Sequence, residues 1–172
     1  MKKENYLLLI KAENRPGLLH LITGMINRRL VEIESISAAK TDVRSIVVIT
    51  IELLISEKAL HSLILKIANI IEVYAVDNTK VAEAFGIRSA FYKLSKAFLE
   101  TSGTCVLQKH GACIVKVTER AILVSKSGFE ADILHLYRQL EGPYLLGFIQ
   151  TGLIADSYLI DEGESSVIRL AA

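Results

Sequence analysis

Tryptophan is absent, cysteine and proline occur twice each, and the charges almost cancel at a net +1. Each scarcity excludes a class of protein. Two cysteines, Cys105 and Cys113, are too few for a disulfide framework. They lack a CxxC partner, so buried free thiols are expected. A net charge of +1 offers nucleic acid no basic field. No apolar run approaches the about 20 residues that span a bilayer. Met1-Lys2-Lys3-Glu4-Asn5 leads straight into a strand-like run, with no apolar signal segment, and a cytoplasmic location is expected. What is present is apolar: 51% of residues are hydrophobic and 23% charged. That composition builds a core and argues against disorder. A chain of 172 residues is one domain or two small ones.

Catalytic and metal signatures are missing as well. His20, His61, His110 and His135 have no neighbours at metal-ligand spacing. His20 and His61 read as helix-surface residues, and His110, just before Gly111, suits a helix C-terminus. Lys126-Ser127-Gly128 is too short and wrongly framed for a phosphate loop, and no H-E-x-x-H occurs. Glu32 and Glu34 alternate with Ile33 along a strand, which reads as a solvated face. The absences favour a binding or regulatory module over an enzyme.

The patterning predicts a strand over Tyr6–Ala12 and a helix over 17–30, with Leu18, Leu21, Ile22, Met25, Ile26 and Leu30 on its apolar stripe. Strands follow over Val31–Ala39 and Ile46–Leu54. On the latter, Val47, Ile49, Ile51 and Leu53 face the helices, while Ile46, Val48, Thr50 and Glu52 form a mixed face, wet or paired. Ser56 caps a second helix buried through Leu60, Leu63, Ile64 and Ile67. Ile70–Val76 is a fourth strand, closed by Asp77-Asn78-Thr79. The order β-α-β-β-α-β is the split βαβ pattern.

After a linker at 79–86 the order returns. A strand is expected at Ile87–Leu94, a helix within Phe98–Lys109 ended by Gly111, and a hairpin of Cys113–Val117 with Ala121–Lys126. A helix over Phe129–Leu140 follows, with Ile133, Leu134, Tyr137 and Leu140 inward. A last strand covers Tyr144–Ile154, with Gly147 and Gly152 as possible bulges. The residues after it are polar and tail-like. The expected class is α+β: two ferredoxin-like βαββαβ domains in tandem. Helices on one side would leave the first sheet's other face bare around Ile46 and Val48. Such a patch marks an interaction surface, and a homodimer joined edge to edge or face to face is expected.

One turn stands out. In Asn14-Arg15-Pro16-Gly17-Leu18-Leu19, Pro16 fixes its own φ and Gly17 lets backbone approach backbone or ligand. A helix beginning there aims free N–H groups and its positive dipole end into the turn, which suits a small carboxylate. The same pair also serves simply to open a helix.

This turn, the helix through Gly24 to Arg28-Arg29, and Ile33-Glu34-Ser35-Ile36 resemble the ACT domain. More closely they resemble the small regulatory subunit of acetohydroxyacid synthase (acetolactate synthase), whose turn reads N-x-x-G-x-L and whose second strand reads N-I-E-S. Tyr92-Lys93, Lys109-His110-Gly111-Ala112, Lys126-Ser127-Gly128 and Thr151-Gly152 fall where that family has similar segments. The resemblance covers roughly residues 5–157 and divides the chain into an ACT domain at 1–78, the linker at 79–86, a C-terminal domain at 87–157 and a tail at 158–172.

The resemblance implies a regulatory subunit without a catalytic site. It would activate a catalytic large subunit that carries thiamine diphosphate, Mg and FAD. It would confer feedback control by a branched-chain amino acid such as valine. The effector would lie between two ACT domains of a dimer. By position, Asn14 would hold it, with Pro16 shaping the turn and the Gly17 and Leu18 amides on its carboxylate. Ile33 and Ile36 would be its apolar neighbours. Two positions depart from the family: Glu32 replaces Asn, and Leu30 stands where many members have Gly. Asn donates and accepts, whereas ionised Glu only accepts. Glu32 suits an ammonium group and repels a carboxylate, so weakened or altered effector binding is expected. Two other readings remain: a freestanding amino-acid-sensing ACT protein with another client, and a small enzyme on a ferredoxin-like scaffold.

Overall fold

The computed structural model describes residues 2–101 and 103–155 and the backbone of Ile168 and Arg169. The rest of the expected tail lies outside the described residues. The chain divides into two compact units: Met1–Phe85 together with residues from Gly152 onward, and Gly86–Thr151.

The first unit contains β1 (Glu4–Glu13), α1 (Leu18–Asn27), β2 (Glu32–Lys40), β3 (Ile46–Ile55), α2 (Glu57–Ala68) and β4 (Val73–Lys80). The second contains β5 (Gly86–Ser95), a 3-10 turn (Lys96–Glu100), α3 (Gly103–Lys109), β6 (Cys113–Val117), β7 (Ala121–Gly128), α4 (Glu130–Leu140) and β8 (Leu145–Gln150). The segment returning to the first unit carries β9 (Ile154–Ala155) and β10 (Ile168–Arg169). The sheets run β10-β4-β1-β3-β2 and β6-β7-β5-β8, each with antiparallel neighbours. These are the two α+β units that the patterning predicts.

In the first unit, Tyr6, Leu8 and Ile10 of β1 and Val47, Ile49, Ile51 and Leu53 of β3 face the helices. They meet Leu18, Ile22 and Ile26 of α1 and Leu60, Leu63, Ile64 and Ile67 of α2. Alternation along β3 places them so. α1 is shorter than the expected 17–30. Leu18, Ile22 and Ile26, four residues apart, form the buried line, while Leu21 is 45% exposed. The helix ends at Asn27, and Leu30 follows at φ 52 and 91% exposure. Ser56 adopts the extended N-cap conformation but makes no side-chain cap bond.

β4 corrects the expected strand at Ile70–Val76. It starts later and runs through Asp77-Asn78-Thr79. Pairing with β1, Leu9 opposite Asp77 and Leu7 opposite Thr79, holds these turn-prone residues extended. The ladder overrides their local preference.

The other sheet face is not bare. Leu7 and Leu9 lie under Leu153, with Val81, Ala84 and Ala155 packed alongside. The expected linker therefore contributes packing, and Ile46 and Val48 are only half-buried. Face-to-face pairing of two bare sheets loses its basis, because the chain covers the middle of this face itself.

The second unit packs Ala90, Tyr92, Leu94, Ile122 and Val124 against Leu107, Ile133, Leu136 and Leu140. Leu136 takes the inward position expected for Leu134, which is half-buried. The expected Phe98–Lys109 helix breaks at Thr101. Its hydroxyl donates to the Phe98 carbonyl (2.7 Å) and accepts from the Gly103 amide (3.0 Å), ending one piece and opening the next. Gly111 ends α3 at φ +61, as a helix-terminating glycine does. The last strand stops at Gln150 instead of Ile154. Gly147 adjoins a register shift against β5, and Gly152 is a close approach instead of a bulge. Both cysteines are free and exposed, against the expectation of burial.

Candidate functional site

The Asn14–Leu18 turn joins β1 to α1. The Asn14 amide donates to the Ser45 carbonyl at 2.7 Å, tying the turn to the start of β3. Arg15 is anchored by Glu13 at 3.1 Å. Gly17 sits at φ +88 as the N-cap of α1, in open space. An L-residue there strains the backbone, so glycine is required by conformation and not by crowding. Among the described residues the Gly17 amide has no acceptor, whereas the Leu18 amide donates to the Arg15 carbonyl at 3.3 Å. The Leu18 side chain is buried in the core, while Asn14, Pro16 and Gly17 are exposed. The helix carries no acidic residue in its first turn, so nothing there offsets its positive end.

The other expected residues lie on β2, the outer strand of the sheet. A register shift between Ile33 and Ser35 sets Glu34 in a bulge. Ile33 packs against the helix-side core. Ile36, opposite Ile51, is 36% exposed, and Glu32 is exposed.

One protomer does not bring these two groups together. Glu32 pairs with Leu54, which pairs with Asn5. The turn instead follows Glu13, which pairs with Ile46. Asn5 and Glu13 are separated by roughly 27 Å of strand, at ~3.4 Å per residue. Glu32 thus marks one end of the sheet and the turn marks the other.

Sequence reasoning missed two features on the sheet face away from the helices. One is a cavity of about 390 Å³ between Lys11, Ser37, Lys40–Val43, Val48, Thr50 and Ile154–Ala155. None of the expected effector residues lines it. The other is a polar cluster on β2 and β3. The Glu52 Oε1 accepts from the Leu153 amide at 3.1 Å and from the Ser35 hydroxyl. The Thr50 hydroxyl donates to the Leu153 carbonyl at 2.9 Å. The only signal in the sequence was the break in apolar patterning at Thr50 and Glu52.

The remaining polar candidates are structural in their contacts. His20 and His61 are exposed on their helices. Gln139 bridges His110 (3.0 Å) and His135 (2.8 Å), with the two rings 5.2 Å apart. Among the described residues no three His, Cys, Asp or Glu side chains group as a metal site. Tyr92 donates to the Ile133 carbonyl at 2.8 Å, and burial pushes its phenol up to about 12. Among the described residues no helix is long and apolar enough to cross a membrane.

With this geometry in view, residues 8–75 match the family model described as the AHAS small subunit-like ACT domain. No curated protein sequence matches the chain significantly. Among solved structures, the acetolactate synthase small subunit from Thermotoga maritima aligns at 16% identity and a TM-score of 0.77, over 88% of this chain and 96% of that one. The ACT domain of GTP pyrophosphokinase from Chlorobium tepidum aligns at 20% identity and a TM-score of 0.40, over 45% of this chain and 100% of that one. The Thermotoga likeness shows the fold of both units. Over residues 8–75 this chain is therefore similar to the AHAS small subunit-like ACT domain.

Proposed function

We propose that the protein is the regulatory subunit of an acetohydroxyacid synthase. It binds and activates a catalytic large subunit, on which thiamine diphosphate, Mg and FAD reside, and it confers feedback control by a branched-chain amino acid such as valine. The observation that carries this reading is the family match over residues 8–75. The turn supports it: an unpaired Gly17 amide at the positive end of α1 suits the carboxylate of an amino acid.

The separation of the turn from Glu32 supports a dimeric site. β2 is an outer strand with one unpaired edge among the described residues. Antiparallel pairing with the β2 of a second copy reverses its ends. The Glu32 end of one protomer then lies at the Lys40 end of the other, where the Asn14–Leu18 turn is. Asn14, Pro16, Gly17 and Leu18 would come from one protomer, and Glu32, Ile33 and Ile36 from its mate.

Acetolactate formation by the large subunit, measured with and without this chain and then with added valine, tests the reading. A rise on adding the chain and a fall on adding valine are expected. An unchanged rate in the presence of the chain overturns it. Glu32 and Leu30 favour one second reading, an amino-acid-sensing ACT protein with another client enzyme. Pull-down on the full chain separates the two by the enzyme recovered.

A further inference from the structure

We propose that Ser35, Thr50 and Glu52 form a latch on the main chain at Gly152–Leu153. We further propose that this latch transmits the state of β2 to the segment by which the chain leaves the second unit. The second clause rests on the reading of β2 as an effector strand.

Leu153 is held on three sides. Its N–H donates to Glu52, its carbonyl accepts from Thr50, and its side chain packs on Leu7 and Leu9. Thr50 and Glu52 are each 6% exposed. Two residues apart on β3, they project from the same sheet face, and Leu7 and Leu9 are their cross-strand partners on β1. The two side chains thus supply one acceptor and one donor to a single passing residue, as a neighbouring strand would. A carboxylate buried at this depth is costly unless it is hydrogen-bonded, and the Leu153 amide is part of what satisfies it.

Gly152 fits this arrangement by close approach. A Cβ there would lie 2.6 Å from the Ser35 Oγ and 3.2 Å from the Ser35 Cβ. Ser35 donates to the same Glu52 oxygen that holds Leu153. It also sits at the β2 bulge, between Ile33 and Ile36. Thr151, one residue before Gly152, is bonded into the second unit through Ser89 (2.8 Å) and Arg88 (3.3 Å). A change in β2 at the bulge therefore alters a hydrogen bond to the oxygen that fastens the main chain next to Thr151. Such a contiguous path is a mechanism only if it has two states that a ligand biases, and this is measurable.

Amide hydrogen exchange on the full chain is the test, read at Leu153. Strong protection in the wild type is expected. Glu52→Leu and Thr50→Val each reduce it about tenfold, as loss of one hydrogen bond does, while Ile10 and Ile51 keep theirs. Leu153 exchanging as a free loop in the wild type overturns the latch. Millimolar valine is expected to change Leu153 exchange in the wild type but not in Ser35→Ala, with similar valine affinity in both by calorimetry. Valine binding heat without any change at Leu153 overturns the transmission and leaves the effector site standing. No binding heat at all overturns the effector reading, and the transmission with it, while protection at Leu153 still decides the latch.

Discussion

Glu32 bears most directly on the proposed effector site. Its carboxylate is exposed at the start of an outer strand, where relatives by resemblance carry an amide. An ionised carboxylate near a bound carboxylate raises the free energy of the complex. Glu32→Asn is expected to tighten valine binding about tenfold by calorimetry, the size of one like-charge contact removed. Unchanged affinity would place Glu32 outside the site. Tyr92 is a second residue with a measurable consequence. Its folded pKa stands near 12 against an ordinary 10, because burial disfavours the phenolate. Above pH 10 the unfolded chain loses this proton while the folded chain keeps it, so the unfolded state is favoured. The contribution of Tyr92 is full below pH 10 and is lost as pH rises toward 12. Tyr92→Phe is expected to remove that alkaline decline in urea titrations, and to cost about 1 kcal/mol at neutral pH through the lost bond to Ile133.

The element that most changes the picture of the first unit is the short segment from Gly152 to Ala155. Without it the sheet face away from the helices would expose Leu7 and Leu9. Leu153 is 5% exposed, and Leu153→Ala is expected to destabilise the first unit by about 2–5 kcal/mol, the range for a buried leucine truncated to alanine. Thermal unfolding measures this; a loss near zero would mean that the segment is dispensable. Helix α1 teaches a related lesson. Leu21, Met25 and Leu30 match the helical period as well as Leu18, Ile22 and Ile26 do. Only the latter three are fully buried, because neighbouring strands admit one line of the stripe. Period reports that a face exists, not how wide its cover is.

For the molecule as a whole, the two expected halves of the effector site lie at opposite ends of one sheet. A second copy paired through β2 would unite them. Ile36 lies at the middle of β2, where a twofold axis would bring it to its own copy. Ile36→Lys is expected to set like charges against each other there. Light scattering should then fall from twice 19.0 kDa to the 19.0 kDa of a single chain, and valine binding should vanish with it. A monomeric wild type that still binds valine would disprove the shared site.

Much of the fold was legible in local pattern. Val47, Ile49, Ile51 and Leu53 announced a strand with one buried face, Gly111 a helix end, and Pro16-Gly17 the turn that opens α1. These signals arise from neighbours in the chain, so they survive without the rest of the protein. The sites were less legible. Thr50 and Glu52 meet a main chain 103 and 101 residues away, and no local period encodes that meeting. Strand register likewise set Glu32 far from the turn, although both sit within one short motif. The sequence by itself determined the kind and order of the main elements and the buried face of β3, since alternation and helical spacing follow from backbone geometry. Only the tertiary structure decided which polar oxygens on the second face are satisfied, and by what, because that depends on where a distant part of the chain returns.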